Sequence, residues 1–273
     1  MAVSAAERRF ILNQLESLAA NEIYALWIAA DRLSDGDFAE YIRTGFPELV
    51  DTYHQAAAEV AAGWFEQSID LPNYIPVTAE PLNPERISNS VAWALGGDGE
   101  KARDRLLGTM QRAVYDGARE TTVLNAESTG SRWIRVARPD ACAFCRLLAS
   151  RSVGSNYEDY FYSSSGVRAK INPETGEAYA DGRLTTAVIG RRARNRRDSS
   201  RKLGEEYHDF CHCTAKEVPA GVKPIEFLGQ EDPEAAVSAE LWLTEYNKAR
   251  SNSGSGDPKK ILSEWRTFGD DIA

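Results

Sequence analysis

The sequence predicts a mainly α protein with a small α+β module: long N-terminal helices, short strands near two cysteine pairs, and a helical C-terminal tail. Three observations lead there. Apolar residues recur at spacings of three and four through most of residues 4–126, the period of a helix with one buried face. Two short alternating runs, Trp133–Arg138 and Cys213–Val218, each lie beside a cysteine pair. Helical spacing returns after Asp232-Pro233.

Taken in order, Ile11, Leu15, Leu18, Ala25, Leu26, Ala29 and Leu33 form the first apolar stripe, starting after Ser4. Ser34-Asp35-Gly36-Asp37 ends that helix and opens the next. Pro47 predicts a restart, because proline suits the first turn of a helix and not its interior. Leu49, Val50, Tyr53, Ala57, Val60, Ala61 and Trp64 follow at helical spacing, which gives a long antiparallel helical pair. Four of the eleven prolines fall in residues 71–85, an extended connector. Helical signals resume over Pro84–Leu95, and after Gly96-Gly97-Asp98-Gly99 a third long helix runs to about Ala126. Gly108 and Gly117 either weaken it or mark close helix contacts.

After the first alternating run, Ala141–Arg151 reads as a helix with Cys142 and Cys145 in its first turn. Residues 152–206 are rich in Ser, Gly, Tyr and Arg and read as a long loop or hairpin. In the tail, a helix to Arg250 is joined by a flexible Ser251–Gly256 link to a last short helix opened by Asp257-Pro258. The expected organisation is a helical region over residues 1–129, a Cys/His module over 130–219, and a tail over 220–273.

Composition excludes several classes. The 273 residues are 42% hydrophobic and 27% charged, as in a folded chain of one large or two modest domains. The longest uncharged stretch, Ile87–Gly97, is far short of the roughly 20 apolar residues needed to span a bilayer, so no membrane role is expected. Glu7, Arg8 and Arg9 precede no long apolar core, so no signal peptide is predicted. Net charge is −9 and uneven: residues 1–70 carry four Arg, no Lys and twelve acids. Against that, Arg191, Arg192, Arg194, Arg196, Arg197, Arg201 and Lys202 face Asp198 alone within one short run. Such a run is a solvated loop, a DNA-phosphate contact, or a contact with an acidic neighbour. It contains no aromatic residue, so base stacking is not indicated.

The most informative feature is the grouping of sulfur and imidazole. Cys142-x2-Cys145 is followed, far along the chain, by His208-x2-Cys211-x-Cys213. This pattern suits a structural Zn2+ site, because zinc takes four such ligands in a tetrahedron and one turn supplies two. Five candidates compete for four places. The first choice is Cys142, Cys145, His208 and Cys211, with Cys213 as the substitute for His208 or Cys211. A disulfide framework and a redox Cys-x-x-Cys are the other readings.

With these residues in view, the chain resembles a known family. The run Ser131-Arg132-Trp133-Ile134-Arg135-Val136-Ala137-Arg138-Pro139-Asp140-Ala141-Cys142-Ala143-Phe144-Cys145, continuing to Arg151, and then Tyr207-His208-Asp209-Phe210-Cys211-His212-Cys213, resembles the Mu F-like minor head proteins of tailed phages, in the form found in phages of actinobacteria. The helices before it match in kind and order. The resemblance implies a virion protein acting in head morphogenesis by contacts, at or near the portal inside the procapsid. Its implied partners are the portal, the major capsid protein or the scaffold, with packaged DNA as a further contact. It also brings the alternative of a capsid maturation protease. Some relatives carry a fused toxin domain, for which the 55 residues after Val218 are too few.

A protease needs a nucleophile, a base and an orienting group. No His-Glu-x-x-His motif occurs, and His54 reads as an ordinary helix-face residue, so Cys145 with His208 is the one dyad to consider. No catalytic residue is assigned on this basis. A zinc-bearing, DNA-contacting protein is a third reading, opposed by the acidic remainder of the chain. Tyr157, Tyr160, Phe161 and Tyr162 read as packing or partner contacts. The tail's Trp242 and Trp265 either dock on a partner as a helix in a groove or fold back on the same chain.

Overall fold

Ser4 starts the first helix by accepting from the Glu7 amide while the Glu7 carboxylate accepts from the Ser4 amide, a reciprocal capping box. The computed structural model describes residues 3–153, 211–255 and 257–269. The expected hairpin or loop over 152–206, with Tyr157, Tyr160, Phe161, Tyr162 and the Arg191–Lys202 run, falls outside them apart from its first two residues, as does His208. Helices α1 (Ala5–Ala30), α2 (Asp35–Ser68), α3 (Pro84–Leu95) and α4 (Gly99–Thr129) are followed by strand β1 (Arg132–Val136) and α5 (Ala143–Ala149). A 3-10 turn (Ser150–Val153) comes next, then β2 (Thr214–Val218), α6 (Pro224–Glu231), α7 (Pro233–Ser253) and α8 (Pro258–Gly269). The protein is mainly helical, and β1 and β2 are the two short strands among the described residues.

The described chain forms two units, one of residues 3–132 with 211–220, the other of 133–153 with the residues after 220. The first is built on α1, α2 and α4. Leu12, Ile23, Ile42, Phe46, Val50, Leu106, Met110, Val114 and Tyr115 are all essentially inaccessible in its core. The restart expected at Pro47 does not occur: α2 runs unbroken through it. Proline in a helix interior costs about 3 kcal/mol. The flanking Ile42, Phe46 and Val50 share one buried face, and each fully buried apolar side chain contributes about 1.5–3 kcal/mol, which outweighs that cost.

Gly117 on α4 sits so close to α2 that a Cβ built there would lie 2.3 Å from the His54 carbonyl oxygen. Between the close-contact and helix-weakening readings of this glycine, the structure selects close contact.

Helix α4 buries several polar side chains, and some of them serve the backbone of a non-helical segment. Asn125 donates to the Val77 carbonyl at 2.7 Å and accepts from the Val77 amide at 2.9 Å, much as a neighbouring strand would. Thr121 accepts from the Ala79 amide at 2.9 Å. The buried His54 ring lies between the carbonyl oxygens of Ala113, 3.0 Å from Nδ1, and Glu80, 3.1 Å from Nε2. The proline-rich connector is therefore an ordered strap along α2 and α4, laid down by side chains that replace a sheet partner. Its end leads into α3, where Asn83 caps the helix and Pro84 opens it.

In the second unit the sequence reading missed α6, whose eight residues are too few to display a helical period. The link expected from Ser251 is shorter than predicted, because α7 continues to Ser253 and ends on Gly254 in the left-handed conformation. Trp242 and Trp265 are buried within this unit. The Trp265 indole N–H donates to the Glu245 carboxylate at 3.0 Å, and its ring meets that of Tyr246. Of the two readings of the tail, the structure shows the fold-back. The tight turn at Gly254 lets the aromatic side chains of α7 and α8 bury against each other.

Candidate metal centre

Residues 211–213 lead directly into β2, and two side chains of α4 fix their backbone. The Arg119 guanidinium, itself buried, donates through Nε to the Cys213 carbonyl at 2.9 Å and through Nη2 to the carbonyls of both Cys211 and Cys213. Gln111 donates to the Cys211 carbonyl at 3.1 Å. Asp116 holds Arg119 from the other side at 3.3 Å. These bonds satisfy carbonyl groups on the approach to β2, and they bring a positive charge close to the backbone of the two cysteines.

His212 is held by a separate set of contacts. The Asn13 side-chain oxygen accepts from the Tyr115 hydroxyl at 2.7 Å, and His212 Nδ1 lies 3.1 Å from the same oxygen. The Tyr115 hydroxyl also lies 3.3 Å from His212 Nδ1, so the phenol, the imidazole and the Asn13 amide oxygen form one hydrogen-bonded network. Burial raises the pKa of the Tyr115 phenol well above the usual range, and Glu16 adds to that effect against the opposing charges of Arg119 and Arg9. The phenol therefore stays a hydrogen-bond donor at any ordinary pH.

The strand that follows is anchored by charge. Glu217 and Arg8 are both completely buried; Arg8 Nη1 donates to Glu217 Oε2 at 2.8 Å, and Nη2 donates to Oε1. The guanidinium also donates to Ser68 Oγ at 3.2 Å and lies 5.2 Å from the centre of the Trp64 ring. Burial pushes the Glu217 carboxyl up, but the charge and hydrogen bonds of Arg8, with help from Ser68 and Lys216, outweigh it and hold the group below the usual carboxylate range. Lys216 donates to the Val3 carbonyl at 3.1 Å.

On α5, Cys142 occupies the N-cap and is exposed, while Cys145 in the first turn is buried. Cys145 is buried in the second unit, and Cys211 and Cys213 are buried, two residues apart, in the first; buried thiols of this kind could hold a metal ion.

Arg119, Gln111, Asn13 and Tyr115 went unmarked in the sequence because nothing local distinguishes a buried polar residue on a helix from a solvated one. The Cys145 thiol is buried, so the dyad considered with His208 gains no support from accessibility.

The family model described as VG15 protein matches residues 2–170, more than half of the chain. The chain belongs to the VG15 family. This is a viral-gene family, and membership points to a phage protein. In this VG15-family chain the matched span takes in α1–α5 and both residues of the first cysteine pair, and it stops before Cys211 and Cys213. No curated protein and no solved structure matches the chain. Among the described residues, no helix is long and apolar enough to cross a membrane.

Proposed function

We propose that this chain is a Mu F-like minor capsid protein that acts structurally in head assembly, at the portal inside the procapsid, with Zn2+ holding its cysteine segments together. The observation that carries this reading is the pair Cys211 and Cys213, buried two residues apart on a backbone fixed by Arg119 and Gln111, within one of the two segments that bear the family resemblance. Membership in a phage family supports it independently. Zinc bound by three thiolates has a formal charge of −1, and the buried Arg119 beneath the Cys211 and Cys213 carbonyls offsets that charge. Zinc would supply a cross-link between the two cysteine segments, with Cys142, Cys145, His208, Cys211 and Cys213 as the candidate ligands for its four places.

Elemental analysis of the purified chain should find about one zinc per chain. Cys145→Ser, Cys211→Ser and Cys213→Ser should each lose it and lower the melting temperature, as should a strong chelator, while Cys142→Ser should keep more of it. Metal-free wild-type protein with an unchanged melting temperature would end the zinc assignment.

Mass spectrometry of purified procapsids and virions, with cross-linking, tests the assembly role. The chain should be present in both particles and should cross-link to the portal. Its absence from procapsids would overturn the assignment.

A further inference from the structure

Helices α2, α3 and α4 enclose a groove of about 640 Å³ within the first unit, and none of the chemistry described above uses it. Its size is in the range of about 300–1,000 Å³ typical of ligand sites, and it opens broadly to solvent. The base is apolar, made by Val50, Leu82, Ile87 and Ala113, all buried. One wall is Trp93, which is 52% exposed. Helix α3 seats itself in the core through Ile87, Val91 and Ala94, so the indole is surplus to its packing. Arg105 lies 4.4 Å over the Trp93 ring and donates to the Trp93 carbonyl at 2.8 Å, which fixes the wall in place.

The groove also has a cationic side. Arg86 and Arg112 line the groove, and both turn toward a single carboxylate, Asp116, at 2.9 Å and 3.7 Å. Asp116 is also bound to the buried Arg119. Three guanidiniums thus share one acid, and the Arg86 side chain remains 44% exposed. Glu85 is the one acid among the lining residues. This positive spot belongs to a unit whose first seventy residues carry twelve acids against four arginines.

We propose that this groove docks an acidic segment of a partner protein, with an apolar side chain seated against Trp93 and Ile87 and a neighbouring carboxylate paired with Arg86 and Arg112. Tryptophan and arginine side by side over an apolar base are the residue types that dominate binding energy at protein interfaces. A carboxylate meets Arg86 as a local, bidentate charge pair. A nucleic-acid backbone would bring a row of charges past Glu85 and the acidic α1 and α2, within a Debye length of about 8 Å, and would be repelled.

Fluorescence anisotropy on the full chain tests this with labelled helical peptides that carry a leucine anchor flanked by glutamates, the same peptides with lysine for glutamate, and a DNA duplex of matched length. The glutamate peptide should bind, and the lysine peptide and the duplex should not. Trp93→Ala should weaken the glutamate peptide at least about tenfold, with the melting temperature little changed because the indole is half exposed. Arg86→Gln should weaken it similarly and flatten its salt dependence. Failure of the glutamate peptide to bind would overturn the proposal. Equal binding of glutamate and lysine peptides, indifference to Trp93→Ala, or preference for the duplex would do the same. Zinc content is unaffected by any of these outcomes, so the metal reading stands or falls separately.

Discussion

Replacing Arg8 with alanine should destabilise the first unit by about 3–5 kcal/mol, the cost of leaving a buried charge without its partner. The charge stranded is Glu217, which is wholly inaccessible and receives two hydrogen bonds from Arg8. Glu217→Ala should cost as much from the other side. Replacing both together with apolar residues of similar volume should recover most of the loss, because a buried pair is favourable mainly relative to half of itself. Urea unfolding of the four proteins measures this. Additive single losses would show that the two groups are not coupled.

The same pair sets an acid limit on stability. The Glu217 carboxyl is held below its ordinary value of 4.5 in the folded chain, so its stabilisation is complete above that value. As pH falls through the lower folded value the carboxyl takes up a proton and the stabilisation is lost. Thermal unfolding of the wild type should therefore weaken below about pH 4.5, and Glu217→Gln, less stable throughout, should show a shallower acid decline. Parallel acid limbs in the two proteins would remove Glu217 as their cause.

Gly117→Ala is the second large effect. The added methyl would lie 2.3 Å from the His54 carbonyl oxygen, and because that atom is backbone it cannot swing away. Helices α2 and α4 must separate, which also loosens the His54 ring from the Ala113 and Glu80 carbonyls. A loss of about 3 kcal/mol or more is expected, at the upper end of overpacking costs. Gly45→Ala is the internal comparison. Its methyl would meet the end of the Leu26 side chain at 2.6 Å, which a rotamer change relieves at about 1 kcal/mol, roughly the helix propensity gained. Equal unfolding midpoints for the two variants would show that the α2–α4 approach is not tight.

Much of the architecture was legible in the chain itself. The capping box at Ser4, the Ser34 break, the Asn83-Pro84 start of α3 and both short strands rest on signals within a few residues, and all are where those signals place them.

Other features required the packed molecule. Pro47 carries a helix-breaking signal that a shared buried face overrides, and no local window weighs one against the other. Arg119, Gln111, Thr121 and Asn125 look like ordinary polar positions on α4, yet they complete the backbone of two segments far away in sequence. The accessibility of the cysteines was likewise decided by the fold, with Cys142 exposed at a helix cap and Cys145, Cys211 and Cys213 buried. The sequence alone determined the helices, their ends and the chemical types available to a metal. Tertiary structure alone decided which polar groups meet, because a backbone carbonyl or a charge removed from water takes whatever partner the fold brings to it, at any distance along the chain.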